Sequence, residues 1–269
     1  SNMGVFTTAA RDPIFYAHHA NVDRLWDVWT TLPGGCRQDP NDQDFLEAEF
    51  LFYDENKNMV KVKVKDALDL SKMGVSYEAA TEGDDLWKNF DPKPTAGNEG
   101  SQVQYAIEKM GVKEVSAAAD NTAKAINLGS NFTALVKLPT KNSSSSSSTS
   151  SSDEQLDEVL VIQGVDMSRE DYVNLKVFVN MPTADTKTPI YTAEYVGSTS
   201  IVPSPDAGKR LFTNVAMEVG DNLRRLGLDS DEYVVVTIVV DSFSGSPVMI
   251  RGIKIEYRST MCTAISSSA

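Results

Sequence analysis

Histidine is almost missing from this 269-residue chain: there are two, His18 and His19, side by side. Neighbours on a helix point about 100° apart, so this pair cannot readily chelate one metal ion. Cysteine is as scarce. Cys36 and Cys262 are the only two, too far apart for a bridge to be inferred and too few for a thiolate zinc site. Basic charge is also short, 25 Lys and Arg against 38 Asp and Glu, which leaves a net charge of −13. An acidic surface repels phosphate backbones and anionic lipid, so nucleic acid and membrane surfaces are poor partners. No apolar run approaches the roughly 18 residues of a membrane span. No carboxylate pair stands out from ordinary surface charge as an acid–base catalyst. Ser1-Asn2-Met3-Gly4 has no signal-peptide pattern. The chain is expected to start inside a domain, so its localisation is unknown from the sequence.

What is present is an ordinary soluble composition, 41% hydrophobic and 23% charged, in a length that suits one or two domains. The most informative stretch is Asp12-Pro13-Ile14-Phe15-Tyr16-Ala17-His18-His19-Ala20-Asn21-Val22-Asp23-Arg24-Leu25-Trp26. Asp12 suits an N-cap and Pro13 the first helical turn. Phe15, His19, Val22, Trp26 and Trp29 recur at spacings of three and four, which places them on one helical face. His19 thus sits in an aromatic stripe, where an imidazole is either a satisfied core residue or a ligand. Asp23, one turn on, can orient a neighbouring side chain. Arg24 is read as the partner of a nearby carboxylate. Gly34-Gly35 ends the helix.

Residues 44–53 predict a strand and Asp54 to Asn58 a turn. Val60, Val62 and Val64 alternate with Lys61, Lys63 and Lys65, the period of a half-buried strand with a solvated lysine face. Pattern is then lost: residues 93–129 read as a linker, with a short helix carrying Val103, Ile107 and Met110 and stopped by Gly111. Strands are expected at 132–138, 158–162, 174–180, 190–196, 210–217, 233–240 and 248–257. A helix from Glu218 to Leu226 is closed by Gly227. The serine-rich run 143–154 lacks apolar residues and is expected to be a disordered loop inside this domain. Asn131-Phe132-Thr133 and Asn142-Ser143-Ser144 fit a glycosylation pattern that matters only in a secreted chain. Seven short strands with turn signals predict an antiparallel β-sandwich.

The stretch Asp-Pro-x-Phe, an aromatic, two residues, His, three residues, Asp resembles the end of the second copper-binding region of the tyrosinase and plant polyphenol oxidase family. Phe52-Tyr53-Asp54-Glu55-Asn56 and Gly74-Val75-x-Tyr77 resemble the family's small domain named for Asp-Trp-Leu, with Phe45 where tryptophan stands. Val159 to Val165 and Ile250 to Tyr257 resemble its C-terminal domain named for Lys-Phe-Asp-Val, where this chain has Asn174-Leu175-Lys176-Val177.

The resemblance implies an α+β chain. It comprises the incomplete end of a helical type-3 copper core (1–42), a small β-containing domain (43–92), a linker (93–129), a β-sandwich (130–258) and a tail (259–269). It implies a plastid enzyme of the thylakoid lumen, a catechol oxidase or tyrosinase, that oxidises catechols or monophenols to o-quinones with dioxygen. His19 falls on a ligand of the second copper, His18 and Asp23 on its surroundings, and Phe15 and Trp26 on the aromatic packing around it. Six histidines are needed for the copper pair and two are here. The chain is therefore expected to be an inactive fragment that lacks its N-terminal copper domain. The alternative is a non-catalytic lid that keeps the parent oxidase latent.

Overall fold

The computed structural model describes residues 8–32, 37–79, 86–98, 100–120, 123–140, 155–169, 171–201, 210–242 and 245–260. The chain divides into two units, Ser1–Asn89 with Cys262–Ala269, and Phe90–Met261.

The first unit carries α1 (Ile14–Thr31), the single-turn α2 (Gln43–Leu46), and strands β1 (Glu49–Tyr53) and β2 (Met59–Lys63). Asp12 starts α1 from both its side chain, which accepts the Ile14 N–H at 3.2 Å, and its carbonyl, which accepts that of Phe15 at 3.0 Å. The helix ends at Thr31, before Gly34-Gly35, which lie outside the described residues. Residues 44–46 are helical where their sequence predicts a strand. Asp42 Oδ1 accepts the Phe45 N–H at 2.9 Å, and this cap closes one turn before β1 begins.

Strands β1 and β2 form an antiparallel hairpin. Its turn is set by Asp54, whose Oδ1 accepts the N–H of Asn56 at 2.9 Å and of Asn58 at 2.7 Å, with Lys57 at φ 67°. One face of the pair carries Phe50, Phe52, Val60 and Val62; the other carries Glu49, Leu51, Tyr53, Met59, Lys61 and Lys63. Lys61 pairs with Glu49 at 2.6 Å, and Lys63 and Lys65 both reach Glu47, at 2.7 and 2.6 Å. Among the described residues of this unit, only one apolar side chain is buried, Ala9. The aromatic stripe of α1, which its periodicity assigns to a core, is not enclosed by the described residues: no residue of α1 is buried. Of a helical copper core, the described residues contain this one helix.

The second unit is mostly antiparallel sheet. It holds α3 (Val103–Met110), β3 (Ile126–Asn127), β4 (Asn131–Lys137), β5 (Gln155–Ser168) and β6 (Val173–Val179). After these come β7 (Tyr195–Ile201), β8 (Arg210–Glu218), α4 (Gly220–Leu226), β9 (Tyr233–Ser242), β10 (Met249–Ile250) and β11 (Gly252–Thr260). One sheet runs β4-β9-β6-β7. In the other, β5 pairs with β8 on one side and with β10 and β11 on the other, and β3 adds to β10. Leu160, Ile162, Ile253 and Ile255 of one sheet share a core with Leu175, Val177, Val236 and Ile238 of the other. Each such side chain contributes about 1.5–3 kcal/mol by leaving water. That is the sandwich packing the alternating strands imply.

Strand β9 is buried along seven successive residues, Val234 to Val240. Its even positions face the shared core, while Val235 packs with Ala106 and Leu135, and Val239 with Phe178, Met181 and Ala184. The outer face of this sheet is therefore covered, by α3 and by the segment after β6. Residues of the 93–129 stretch, expected as a linker, make specific contacts with this sandwich. Ala106 is fully buried, Val115 donates to Leu135 at 2.9 Å, Leu128 donates to Val248 at 3.0 Å, and β3 joins a sheet. Too few apolar residues are spread over these positions to show a period, yet each meets the sandwich.

A buried polar cluster fastens residues 93–102. Glu194 accepts the Thr95 N–H at 2.8 Å, the Thr95 hydroxyl at 3.3 Å and the Asn98 amide at 2.9 Å. Asn180, at φ 58°, accepts the Gln102 N–H at 2.8 Å and donates to the Gly100 carbonyl at 2.8 Å. This left-handed residue also ends β6, so 181–194 is loop and β7 starts at Tyr195, later than the 190–196 strand expected. The expected strand 248–257 is split at Arg251. Opposite it stands Gly164 at φ 60°, where a Cβ would lie 2.7 Å from the Arg251 side chain, so only glycine fits. The serine-rich run 143–154, Asn142 and both cysteines lie outside the described residues.

Candidate metal centre

The two histidines lie in the second turn of α1, and both are exposed. Spacing of four puts the Phe15 ring against His19, with centroids 4.2 Å apart and planes 48° to each other. The His18 and His19 rings are 5.4 Å apart with planes at 78°, an edge contact. Among the described residues neither imidazole makes a hydrogen bond. Further along the helix, Trp26 and Trp29 stack at 4.9 Å, and the Trp26 indole N–H donates to Asp39 Oδ1 at 3.0 Å.

Asp23 is engaged by a residue 54 positions away: the Tyr77 hydroxyl donates to its Oδ2. That bond, then partial desolvation and the charges of Asp23 and Asp27, push the Tyr77 phenol up to about 12. Arg24 Nε donates to the Asn21 side chain at 3.1 Å. Asp23, Trp26, Asp27, Asp39 and Tyr77 line a groove of about 760 Å³ in this unit. Sequence spacing identifies Phe15, His19 and Trp26 as neighbours on a face. It gives no hint of Tyr77 or Asp39, because no periodicity links residues on separate elements.

Whether these residues can hold copper is decided by the donor set. Among the described residues no group of three or more His, Cys, Asp or Glu side chains is placed to hold a metal ion. Two adjacent imidazoles turned apart do not replace such a group. The described residues by themselves do not fit a copper pair; they present His19, backed by the Phe15 ring, on an exposed stretch of α1.

Three descriptions of protein families match, in this order: the common central domain of tyrosinase at residues 1–32, the polyphenol oxidase middle domain at 39–93, and the chloroplastic polyphenol oxidase C-terminal domain at 125–257. Among curated proteins, aureusidin synthase of Antirrhinum majus is 36% identical over 260 residues, covering 95% of this chain and 43% of its own length. The chloroplastic polyphenol oxidase of Malus domestica is 37% identical over 268 residues, covering 96% of this chain and 42% of its own. The chain thus spans less than half of these relatives. The solved structure of latent apple tyrosinase superposes with a TM-score of 0.73 at 35% identity, over 96% of this chain and 52% of that one. Among the described residues no helix is long and apolar enough to cross a membrane.

Proposed function

This chain belongs to the plant polyphenol oxidase family, and on that premise we propose that it is the C-terminal part of a dicopper oxidase that converts catechols to o-quinones with dioxygen. Two copper ions would serve the parent, and α1 would supply one ligand, His19. Phe15 backs that ring. His18 and Asp23 stand beside it, Asp23 tied to Tyr77, and Trp26 packs further along the same face. The remaining histidines belong to an N-terminal copper domain that this sequence does not contain. The chain alone is inactive. The parent is a plastid enzyme of the thylakoid lumen, in keeping with relatives named chloroplastic. The domain map follows the same reading: end of the copper domain, small middle domain, and a β-sandwich closing the chain.

The observation that carries this reading is the order of the three matched segments, with His19 inside the first. The test is metal content and catechol oxidation. After dialysis the isolated chain should hold no stoichiometric copper and make no quinone. In the full-length parent, His19→Ala should empty one copper position and abolish oxidation, while His18→Ala should weaken turnover and keep both ions. Copper lost from the His18 variant but kept by the His19 variant would show the ligand to be misplaced by one residue.

A second role is supported by the division of the chain. Residues 90–261 have a complete core of their own, and both histidines lie outside it. A self-contained body without ligands suits a lid that keeps the parent latent, the word attached to the apple structure. If so, removing that unit from the parent raises catechol oxidation; unchanged activity after its removal would end the lid reading.

A further inference from the structure

Within the second unit, residues 90–95 and the loop that follows β6 flank a cleft of about 640 Å³, a volume suited to a small molecule. Its walls are apolar, with Phe90 and Pro94 on one side and Met181, Pro189 and Tyr191 on the other. Phe90 and Tyr191 are 57% and 67% exposed, so two aromatic rings of the lining are open to an incoming ligand. The cleft is fixed before any ligand arrives. The Ala193 N–H donates to the Lys93 carbonyl at 3.0 Å, and buried Glu194 holds Thr95 and Asn98, so both walls are tied to one anchor.

Two properties of the lining limit what it can take. Among the described residues, its charged side chains are Asp91 and Lys93, which pair with each other, and Asp91 also meets Arg225 at 3.6 Å. A neutral ligand leaves that pairing intact; an ionic one competes with it. Two of the hydroxyls, meanwhile, have already given their protons away. Thr95 donates to Glu194 at 3.3 Å, and Thr188 donates to Asp185 Oδ1 at 3.1 Å while accepting the Asp185 N–H at 2.8 Å. What each oxygen still offers is a lone pair, made a better acceptor by the carboxylate it donates to. Acceptors beside aromatic rings call for a ring that carries an O–H donor. We propose that this cleft binds a neutral phenol, its ring against Phe90 or Tyr191 and its hydroxyl donating to Thr95 or Thr188. Phenols are the substrate class proposed above for the parent, and the cleft gives a phenol contact to the unit that holds neither histidine.

Amide NMR shifts of the isolated chain test this, with para-ethylphenol as the probe. It should bind saturably and weakly, in the millimolar range, with shifts grouped at residues 90–95 and 181–194. Para-ethylanisole has the ring without the O–H, and para-ethylcyclohexanol has the O–H without the ring; each should bind several-fold more weakly. The double variant Phe90→Ala with Tyr191→Ala, at two solvent-facing positions, should keep the remaining amide spectrum and lose most of the affinity. No saturation up to the solubility of the probe overturns the proposal, as do shifts centred elsewhere or an unchanged affinity in the double variant. Equal binding of the anisole would reduce the cleft to an apolar surface, and equal binding of the cyclohexanol would remove the need for a ring; either result overturns it. So would tighter binding of benzoate or of a proline-rich peptide than of para-ethylphenol. The readout is binding alone. A parent that oxidised no catechol would leave a positive result standing, and an active parent would not rescue a negative one.

Discussion

A single carboxylate shows how much a residue can do without touching chemistry. Glu194 is fully buried, and every donor that reaches its side chain is neutral: the Thr95 amide, the Thr95 hydroxyl and the Asn98 amide. Glu194→Ala removes the charged acceptor of two N–H donors, at roughly 1.5–3 kcal/mol each. Glu194→Gln keeps the oxygen that serves both of them, and its new amide can donate to the Thr95 hydroxyl. Thermal unfolding should therefore show a large loss for Ala and less than about 1 kcal/mol for Gln. Equal losses would mean that the charge, not the hydrogen bonding, holds residues 93–102 in place. Nothing in the sequence marks Glu194 out among 38 acidic residues. Burial of a carboxylate is set by loops from distant positions, and no local pattern encodes it.

The hairpin and strand β9 behave differently as elements, because β9 is buried on both faces and no residue of the hairpin strands is buried. On the hairpin's lysine-bearing side, Glu47 accepts from Lys63 and Lys65, and those bonds bring its carboxyl from 4.5 down to about 2. A carboxylate whose folded value is depressed adds stability above its unfolded value and loses it as the pH falls through the folded one. The Lys63–Glu47–Lys65 contact should hold at pH 5 and dissolve as the pH falls from about 4.5 towards 2. An NMR titration of the Glu47 carboxyl carbon should place its midpoint near the lower figure, and Lys63→Ala should raise it. A midpoint near 4.5 in the unmodified chain would refute the pairing. The alternation of Val60 and Val62 with Lys61 and Lys63 makes this hairpin legible in the sequence, as do the apolar runs that form β5, β6, β9 and β11. Strand β7 begins later than its residues suggest, since Ile190 and Tyr191 look like strand residues while Asn180 diverts the chain into a loop. On α1 the helix, Phe15, His19 and Trp26 follow from spacing; the bond from Tyr77 to Asp23 depends on folding and does not.

At the scale of the whole molecule, apolar burial is concentrated in one of the two units. Residues 90–261 should fold alone with a cooperative melt, and residues 1–89 should not, because among their described positions Ala9 is the one buried apolar side chain. A shortened chain of residues 116–261 separates the packed strap from a free tether. It lacks the strap that Glu194 and Asn180 hold and the helix that covers Val235, so its melting temperature should fall by several degrees. If its melt matched that of 90–261, the segment would be the linker that its plain sequence suggests. The sheet order carries a further consequence, for the time course of synthesis. Strand β5 pairs along nine residues with β11, whose first residue lies 84 positions after β5's last. While a ribosome is still making the intervening strands, one edge of β5 has no neighbour and half of the shared core is open. This sandwich can close only after Thr260 has emerged, so it forms later than the polypeptide made before it, which until then works or waits without it.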